Sequence, residues 1–294
     1  MQRRFLVGLI GANIGKSLSP ALHEDAFAAA GAQGYYHLMD LQVLQGRATL
    51  ESLLVAVRTA GFAGVNVTHP VKEAVLPLLD EVSPEAREIG AVNTVVIGRD
   101  GRTAGHNTDR TGFRRAFEEV LGGKAAARQQ VLLLGAGGAG RAVACALMDL
   151  GVQVLHVFDT DAARAQTFAA DLQGRFGADR IRAAADLAGA AWQAAGIVNA
   201  TPIGMLGYPG MAIAPELIDT RHWVADVVYT PLETQLIATA RRKGCRVMTG
   251  GGMCVHQAAE AFRLFTGLEP DVARMHRLFN EACARRDAKL AAAG

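Results

Sequence analysis

The chain has 294 residues, half of them hydrophobic and a fifth charged, which exceeds one ordinary core and suits two domains with apolar content to bury both. Thirty basic residues against 28 acidic ones leave a formal net charge of +2. That field is too weak to favour nucleic acid or an anionic membrane, so small molecules are the expected ligands. The start, MQRRFLVGLIGANIG, places two arginines before an apolar run, but the run is too short for a signal peptide and lacks a cleavage-like end. No stretch approaches the roughly 20 apolar residues of a membrane helix. Cys145, Cys245, Cys254 and Cys283 show no C-x-x-C spacing and no histidine pattern of a metal site. They read as reduced, mostly buried thiols of a cytoplasmic protein that holds no metal.

In chain order, Phe5 to Ile10 reads as a strand ending at Gly11. The loop GANIGKSLSP then presents two hydroxyls, Ser17 and Ser19, ahead of a helix that starts at Pro20 and stops at Gly31. These hydroxyls are either ligand groups or, for Ser19, a plain N-cap. Tyr35 to Leu41 is a second strand and Leu50 to Ala60 a helix with one apolar face. In GFAGVNVTHPVKEAVLPLLD a short strand is followed by a turn at Pro70 and a further helix. This βαβα order predicts a mostly parallel sheet. Asn66, Thr68 and Lys72 fall at the carboxyl end of a strand, where open α/β sheets hold ligands. A lysine at a helix start opposes the macrodipole, although a solvated surface lysine would explain Lys72 equally well. Residues 89–100 form a strand interrupted by Asn93, and Asn107, Thr108 and Asp109 stand directly before the next helix, which Asp109 could cap.

The segment VLLLGAGGAGRAVA from Val131 breaks a buried-strand signal with clustered glycines and resumes with helical spacing. Gly135, Gly137 and Gly140 occupy the glycine places of a G-x-G-x-x-G turn, which bends sharply, lets backbone approach a pyrophosphate and packs a helix on a strand. The N–H groups that open this helix would hold phosphates. The helix ends near Leu150, Gly151 opens the strand VQVLHVFD, and Asp159 stands at its end, 24 positions after Gly135. An acid there takes the ribose hydroxyls of NAD. Further on, residues 197–201 and 223–229 read as strand ends, TPLETQLIATARRKG as a capped helix ending at Gly244, and residues 248–253 as a glycine-rich crossing. Phe262, Phe265, Val272, Met275 and Phe279 form a core stripe, and the alanine-rich end after Arg286 is expected to fray.

Seven stretches occur in one order: KSLSP from Lys16, NVTHPVK from Asn66, GAVNT from Gly90, NTD from Asn107, GAGGAG from Gly135, NATPIG from Asn199 and GGMCVHQAAEAF from Gly251. Together they resemble the shikimate/quinate dehydrogenase family across nearly the whole chain. The resemblance implies an N-terminal α/β substrate domain, residues 1–107 completed by 255–294, and a Rossmann-type NAD-binding domain, residues 108–254, with the active site in the cleft between them. It implies Lys72 and Asp109 as the catalytic pair, Ser17 and Ser19 on the substrate carboxylate, Thr68, Asn93 and Gln257 on ring hydroxyls, and Tyr229 at the cleft wall. For the cofactor it implies Gly135, Ala136, Gly137, Gly138, Ala139 and Gly140, with Asp159, Thr201, Val228, Gly250 and Met253.

The implied activity is interconversion of shikimate and 3-dehydroshikimate, with quinate and 3-dehydroquinate as a further pair, in a cytoplasmic monomer or homodimer. Two departures qualify it. Arg110 replaces the glycine of the family's N-T-D-G, which would be strained if that position has φ > 0. Past Val157 the chain reads FDTDAAR where NADP-using relatives show asparagine, arginine and threonine. Carboxylates there predict NAD over NADP, and Arg164, inside the next helix and five residues past the acid, is the one nearby base that could offset them. The alternatives are a relative acting mainly on quinate or an aminoshikimate analogue, and a silent dinucleotide sensor, which would have no need of Lys72 and Asp109 together.

Overall fold

A computed structural model describes the backbone of residues 3–123 and 128–292, with side chains up to 286. The chain divides into two compact units, Met1–Asp109 with Val255–Ala284, and Arg110–Cys254 with Arg285–Gly294. The first boundary falls two residues beyond 107, and the chain end from Arg285 goes with the second unit, where the sequence reading kept it with the first. A physical reason is at hand in Arg286, whose guanidinium donates to Thr230 Oγ1 at 2.8 Å and to the Tyr229 carbonyl at 3.2 Å.

The first unit contains β1 (Arg4–Gly11), α1 (Ser19–Ala29), β2 (Gln33–Asp40), α2 (Leu50–Thr59), β3 (Gly64–Val67), β4 (Glu81–Val82), α3 (Pro84–Ile89), β5 (Thr94–Ile97) and β6 (Thr103–His106). Its sheet runs β2-β1-β3-β5-β6-β4. Helical crossovers keep β1 parallel to β2 and β3, as expected. The β3–β5 and β5–β6 pairs are antiparallel, however, so the sheet is mixed. The loop from β5 to β6 is too short for a crossover: the Gly98 amide donates to the Arg102 carbonyl at 2.8 Å and Gly101 takes a φ of 80°. On α2, a reciprocal box between Thr49 and Ser52 caps the N-terminus. Leu50, Leu53, Leu54 and Val57 then pack on Ile10, Val65, Val67 and Val95. The helix expected after Pro70 does not form; turns lead only to a 3₁₀ segment, Leu76–Leu78. Pro77 lacks the N–H an α-helix needs there and its ring opposes the preceding turn.

The second unit contains α4 (Thr108–Val120), whose first two residues belong to the first unit, then β7 (Gln130–Leu134), α5 (Gly138–Asp149), β8 (Val154–Phe158), α6 (Ala162–Phe176), β9 (Ile181–Ala183), α7 (Leu187–Gln193), β10 (Gly196–Asn199), β11 (Trp223–Asp226), α8 (Gln235–Arg242) and β12 (Arg246–Met248). Every pair in its sheet, β12-β11-β10-β7-β8-β9, is parallel. That is the doubly wound dinucleotide-binding order, with its reversal between β7 and β10. Residues 131–134 are fully buried, as both-face coverage of a parallel sheet requires. Arg110 is not strained, contrary to the concern its substitution raises. It lies in α4 and is not among the residues with positive φ. Its guanidinium makes a two-pronged ion pair with Asp149 at 2.7 Å on each prong. Asp149 ends α5, where a carboxylate meets the negative pole of the helix, and the arginine offsets that charge.

The chain closes with α9 (Gly250–Thr266) and α10 (Val272–Ala292). Within the first unit, Phe262 of α9 packs on Phe27 at 5.2 Å between ring centres, and Phe27 stacks on Phe5 at 5.6 Å. Phe262, Phe265, Met275 and Phe279 are buried as the stripe predicts, while Val272 is half-buried. Arg274 of α10 pairs with Asp25 of α1 at 2.7 Å. Helical backbone continues past Arg286 to Ala292; the side chains there lie outside the described residues. All four cysteines are buried thiols. Among the described residues no helix is long and apolar enough to cross a membrane.

Candidate active site

Residues from four separate stretches meet at one end of the first unit's sheet. The Thr68 amide donates to the Ile10 carbonyl and the Ala12 amide to the His69 carbonyl, each at 3.0 Å. These bonds stitch the loop after β1, which carries Ser17 and Ser19, to the loop after β3, which carries Thr68 and Lys72. Because β5 runs antiparallel to β3, the residue before it, Asn93, comes level with Val67, whose amide donates to the Asn93 carbonyl at 2.9 Å. One residue back, the Val92 amide donates to the Lys72 carbonyl at 2.9 Å. Lys72 Nζ reaches Asp109 Oδ2 at 2.7 Å, and the two side chains are 22% and 10% exposed. Lys72 is thus neither a helix-start lysine nor a freely solvated one.

Nor is Asp109 the N-cap of α4. The helix begins a residue earlier, and Asn107 Oδ1 accepts the Asp109 amide at 3.1 Å, which leaves the Asp109 carboxylate for Lys72. Ser19 likewise does not cap α1, whose N-cap position is Leu18 without a side-chain bond. Ser17 Oγ accepts the Ser19 amide at 3.2 Å and donates to Ser19 Oγ at 3.1 Å, so the half-buried hydroxyls form a pair at the helix start. Gln257 is half-buried on α9 in the same unit, whereas Tyr229 belongs to the second.

Behind these groups lies a buried polar network that periodicity and motif spacing did not reveal. Tyr36 donates to Asn66 Oδ1 at 2.8 Å, and Asn66 Nδ2 donates to Thr94 Oγ1 at 3.0 Å and to the Asn93 carbonyl at 3.2 Å. Asn93 Oδ1 accepts from Thr94 Oγ1 and from the Thr108 amide, at 3.0 and 2.7 Å. Asn66, noted at the strand end, therefore acts inward and holds Asn93 in place. His23, stacked on Tyr36 at 4.7 Å, is kept neutral by burial, which pushes its pKa down to about 3. Such partners are chosen by strand pairing, and no local sequence signal could have named them.

In the second unit, Gly135 follows β7 with a φ of 102°, and a Cβ on it would lie 2.9 Å from Thr201 Cγ2. A Cβ on Gly140 would strike the Gly135 carbonyl, so the helix packs on the turn only through glycine. Gly137 is the N-cap of α5 and offers no side chain to its amides; with Gly138 and Ala139 it remains half-buried. Asp159 follows β8, and its Oδ2 accepts the Ala136 amide at 2.8 Å. Arg164, though inside α6, extends back until its Nη2 would lie 3.2 Å from a Cβ on Gly137. Across the reversal point Val228 and Met253 are buried, and a Cβ on Gly250 would come within 2.5 Å of the Val228 carbonyl.

Comparison with known proteins agrees with this architecture. A family model for the shikimate dehydrogenase substrate binding domain matches residues 9–95, and one for the shikimate 5'-dehydrogenase C-terminal domain matches residues 250–278. The chain is 51% identical over 277 residues to a quinate/shikimate dehydrogenase (NAD(+)) of Corynebacterium efficiens, covering 93% of this chain and 97% of that protein. It is 48% identical to a shikimate dehydrogenase (NADP(+)) of Pseudarthrobacter chlorophenolicus, covering 96% and 97%. The solved quinate dehydrogenase of Corynebacterium glutamicum in complex with NAD superposes with a TM-score of 0.89 at 46% identity, covering 95% of this chain and all of that one. With half of its residues shared over nearly the full length of such relatives, the chain belongs to the shikimate/quinate dehydrogenase family.

Proposed function

We propose that this enzyme interconverts shikimate and 3-dehydroshikimate, and quinate and 3-dehydroquinate, with NAD as its preferred hydride carrier. The carrying observation is the Lys72–Asp109 pair beside Thr68 and Asn93. Oxidation of a secondary alcohol needs an acceptor for its hydroxyl proton, and NAD when bound supplies the acceptor for the hydride. In the oxidative direction the proton passes to the Lys72 amine. In the reductive direction the Lys72 ammonium, held by Asp109, returns it to the forming alkoxide oxygen. Asp109 orients the amine throughout.

Ser17 and Ser19 are assigned to the substrate carboxylate. Their place at the start of the eleven-residue helix α1 explains how hydroxyls can serve where an arginine would be expected, since the helix's positive end favours an anion. Thr68, Asn93 and Gln257 are assigned to ring hydroxyls, with Tyr229 as an additional wall; an unmet buried group there costs about 1 to 3 kcal/mol and so discriminates among substrates. The glycine turn fits a dinucleotide, because Gly135 packs against Thr201 more closely than any Cβ would allow and the amides opening α5 have no side-chain cap. Asp159 is assigned to the adenosine ribose, Arg164 to the neighbourhood of the phosphates, and Thr201, Val228, Gly250 and Met253 to the nicotinamide half. The enzyme is assigned to the cytoplasm as a monomer or homodimer.

Steady-state rates with shikimate and quinate, each with NAD and NADP, test this reading. Turnover of either substrate with NAD is expected, and failure of all four combinations would overturn it.

A further inference from the structure

Asp226, the last residue of β11, is fully buried, yet it belongs neither to the catalytic pair nor to the groups assigned to a ligand. Its Oδ1 accepts from Asn199 Nδ2 and from the Val228 amide, both at 2.9 Å, and its Oδ2 accepts from Thr234 Oγ1 at 2.7 Å. All three partners donate. Asn199, the buried last residue of β10, uses its whole amide: Nδ2 also donates to the Ile203 carbonyl at 3.0 Å, while Oδ1 accepts the Thr201 amide at 3.1 Å and the Thr201 hydroxyl at 2.7 Å. A carboxylate can only accept, so it compels Nδ2 to face it and thereby turns Oδ1 toward Thr201.

We propose that Asp226 is a positioning residue for the nicotinamide half of the cofactor, setting Thr201 through the Asn199 amide and Val228 through its own backbone amide. The inference rests on the dehydrogenase reading above. In a doubly wound sheet the ligand lies across the strand reversal. Asp159, on the β8 side, stands where the adenosine half goes, so the nicotinamide half falls to the β10, β11 and β12 side. Two of that side's three loops start from Asn199 and Asp226, and the third, at Gly250, is packed on the Val228 carbonyl. Burying a carboxylate is costly, and the uncharged alternatives would orient Asn199 less strictly. Burial pushes the Asp226 pKa up to about 6 against the pull of its three hydrogen bonds, so the bonds are being held at the expense of solvation.

Three variants test the role: Asp226→Leu, Asp226→Asn, and Asn199→Ala in case the leucine does not fold. In Asp226→Asn the new Oδ1 can still accept from Asn199 and Val228 while its amide donates to Thr234 Oγ1. The readouts are NADH and ADP-ribose affinities by fluorescence titration and calorimetry, together with kcat and KM. With Asp226→Leu or Asn199→Ala, NADH affinity and kcat should each fall about 10- to 100-fold, since an ångström of misplacement costs about that much. ADP-ribose affinity should stay within about twofold, because the glycine turn and Asp159 are untouched. Asp226→Asn should restore most of both losses. The proposal is overturned if the leucine and alanine variants keep their NADH affinity, if ADP-ribose affinity falls in parallel, or if asparagine does not rescue. Should the wild type turn over neither substrate while the affinity split holds, the reading of the reaction fails and the role of Asp226 stands.

Discussion

The cofactor preference can be worked from the geometry around Asp159. Its Oδ2 is fixed by the Ala136 amide at 2.8 Å and its Oδ1 by the Asp161 amide at 3.0 Å, so the carboxylate is held at the end of β8. In NADP the 2′-hydroxyl becomes a phosphate monoester of about two charges near neutral pH. At about 5 Å and an effective dielectric near 20, each unit charge is repelled by about 3 kcal/mol. Arg164 offsets part of this because it reaches Gly137; at about 8 Å it returns about 2 kcal/mol per charge. A net penalty of about 2 kcal/mol remains, and the hydrogen bond lost from the ribose adds about 1 kcal/mol. Wild-type kcat/KM should therefore favour NAD over NADP by about 30- to 1000-fold, at 1.36 kcal/mol per factor of ten. Asp159→Ser removes the charge and keeps an acceptor, and should bring the ratio within about tenfold. Initial rates against each cofactor at saturating shikimate or quinate measure both ratios. Comparable wild-type efficiency with the two cofactors would refute the reasoning, as would an unchanged ratio in Asp159→Ser.

Three further outcomes are expected. Lys72→Ala should lower kcat about 10² to 10⁴-fold with a much smaller rise in KM, because a proton acceptor acts mainly in the transition state; a variant keeping more than about a tenth of wild-type kcat would remove Lys72 from that role. Arg110→Gly should cost about 2 kcal/mol, from the lost two-pronged pair with Asp149 and the poor helix propensity of glycine; a thermal midpoint equal to wild type contradicts this. For Asp226 the folded-state pKa of about 6 lies above its ordinary 3.8. The fold thus favours the protonated acid, and this contribution is full below 3.8 and lost as pH rises through 6. Between pH 4 and 7.5 wild type should lose about 2 kcal/mol relative to Asp226→Asn, and parallel urea-unfolding profiles of the two proteins would contradict it.

Much of the architecture was legible because it depends on neighbours in sequence. The buried run at residues 131–134, the turn at Gly135 to Gly140 and the strand ending at Asp159 are local patterns, and the parallel sheet follows from strands separated by helices. The helix expected after Pro70 fails for a local reason as well, since Pro77 withholds an N–H and its ring opposes the preceding turn. The antiparallel β5 was harder to foresee. Once β5 and β6 are joined by a tight turn they must run opposite ways, but which neighbour β5 then takes is decided by the sheet.

Sequence alone therefore determined the order of the elements, the glycine turn and the residue types able to carry a hydride-transfer reaction, because propensity, turn chemistry and motif spacing act over a few residues. Tertiary structure decided which groups do the holding. Lys72 and Asp109, 37 positions apart, close to a 2.7 Å contact, Arg110 meets Asp149 39 positions away, and Asn199 meets Asp226 27 positions away. Each of these pairings is a matter of strand register and helix placement, which long-range packing selects, and a side chain's own neighbourhood in sequence carries no record of it.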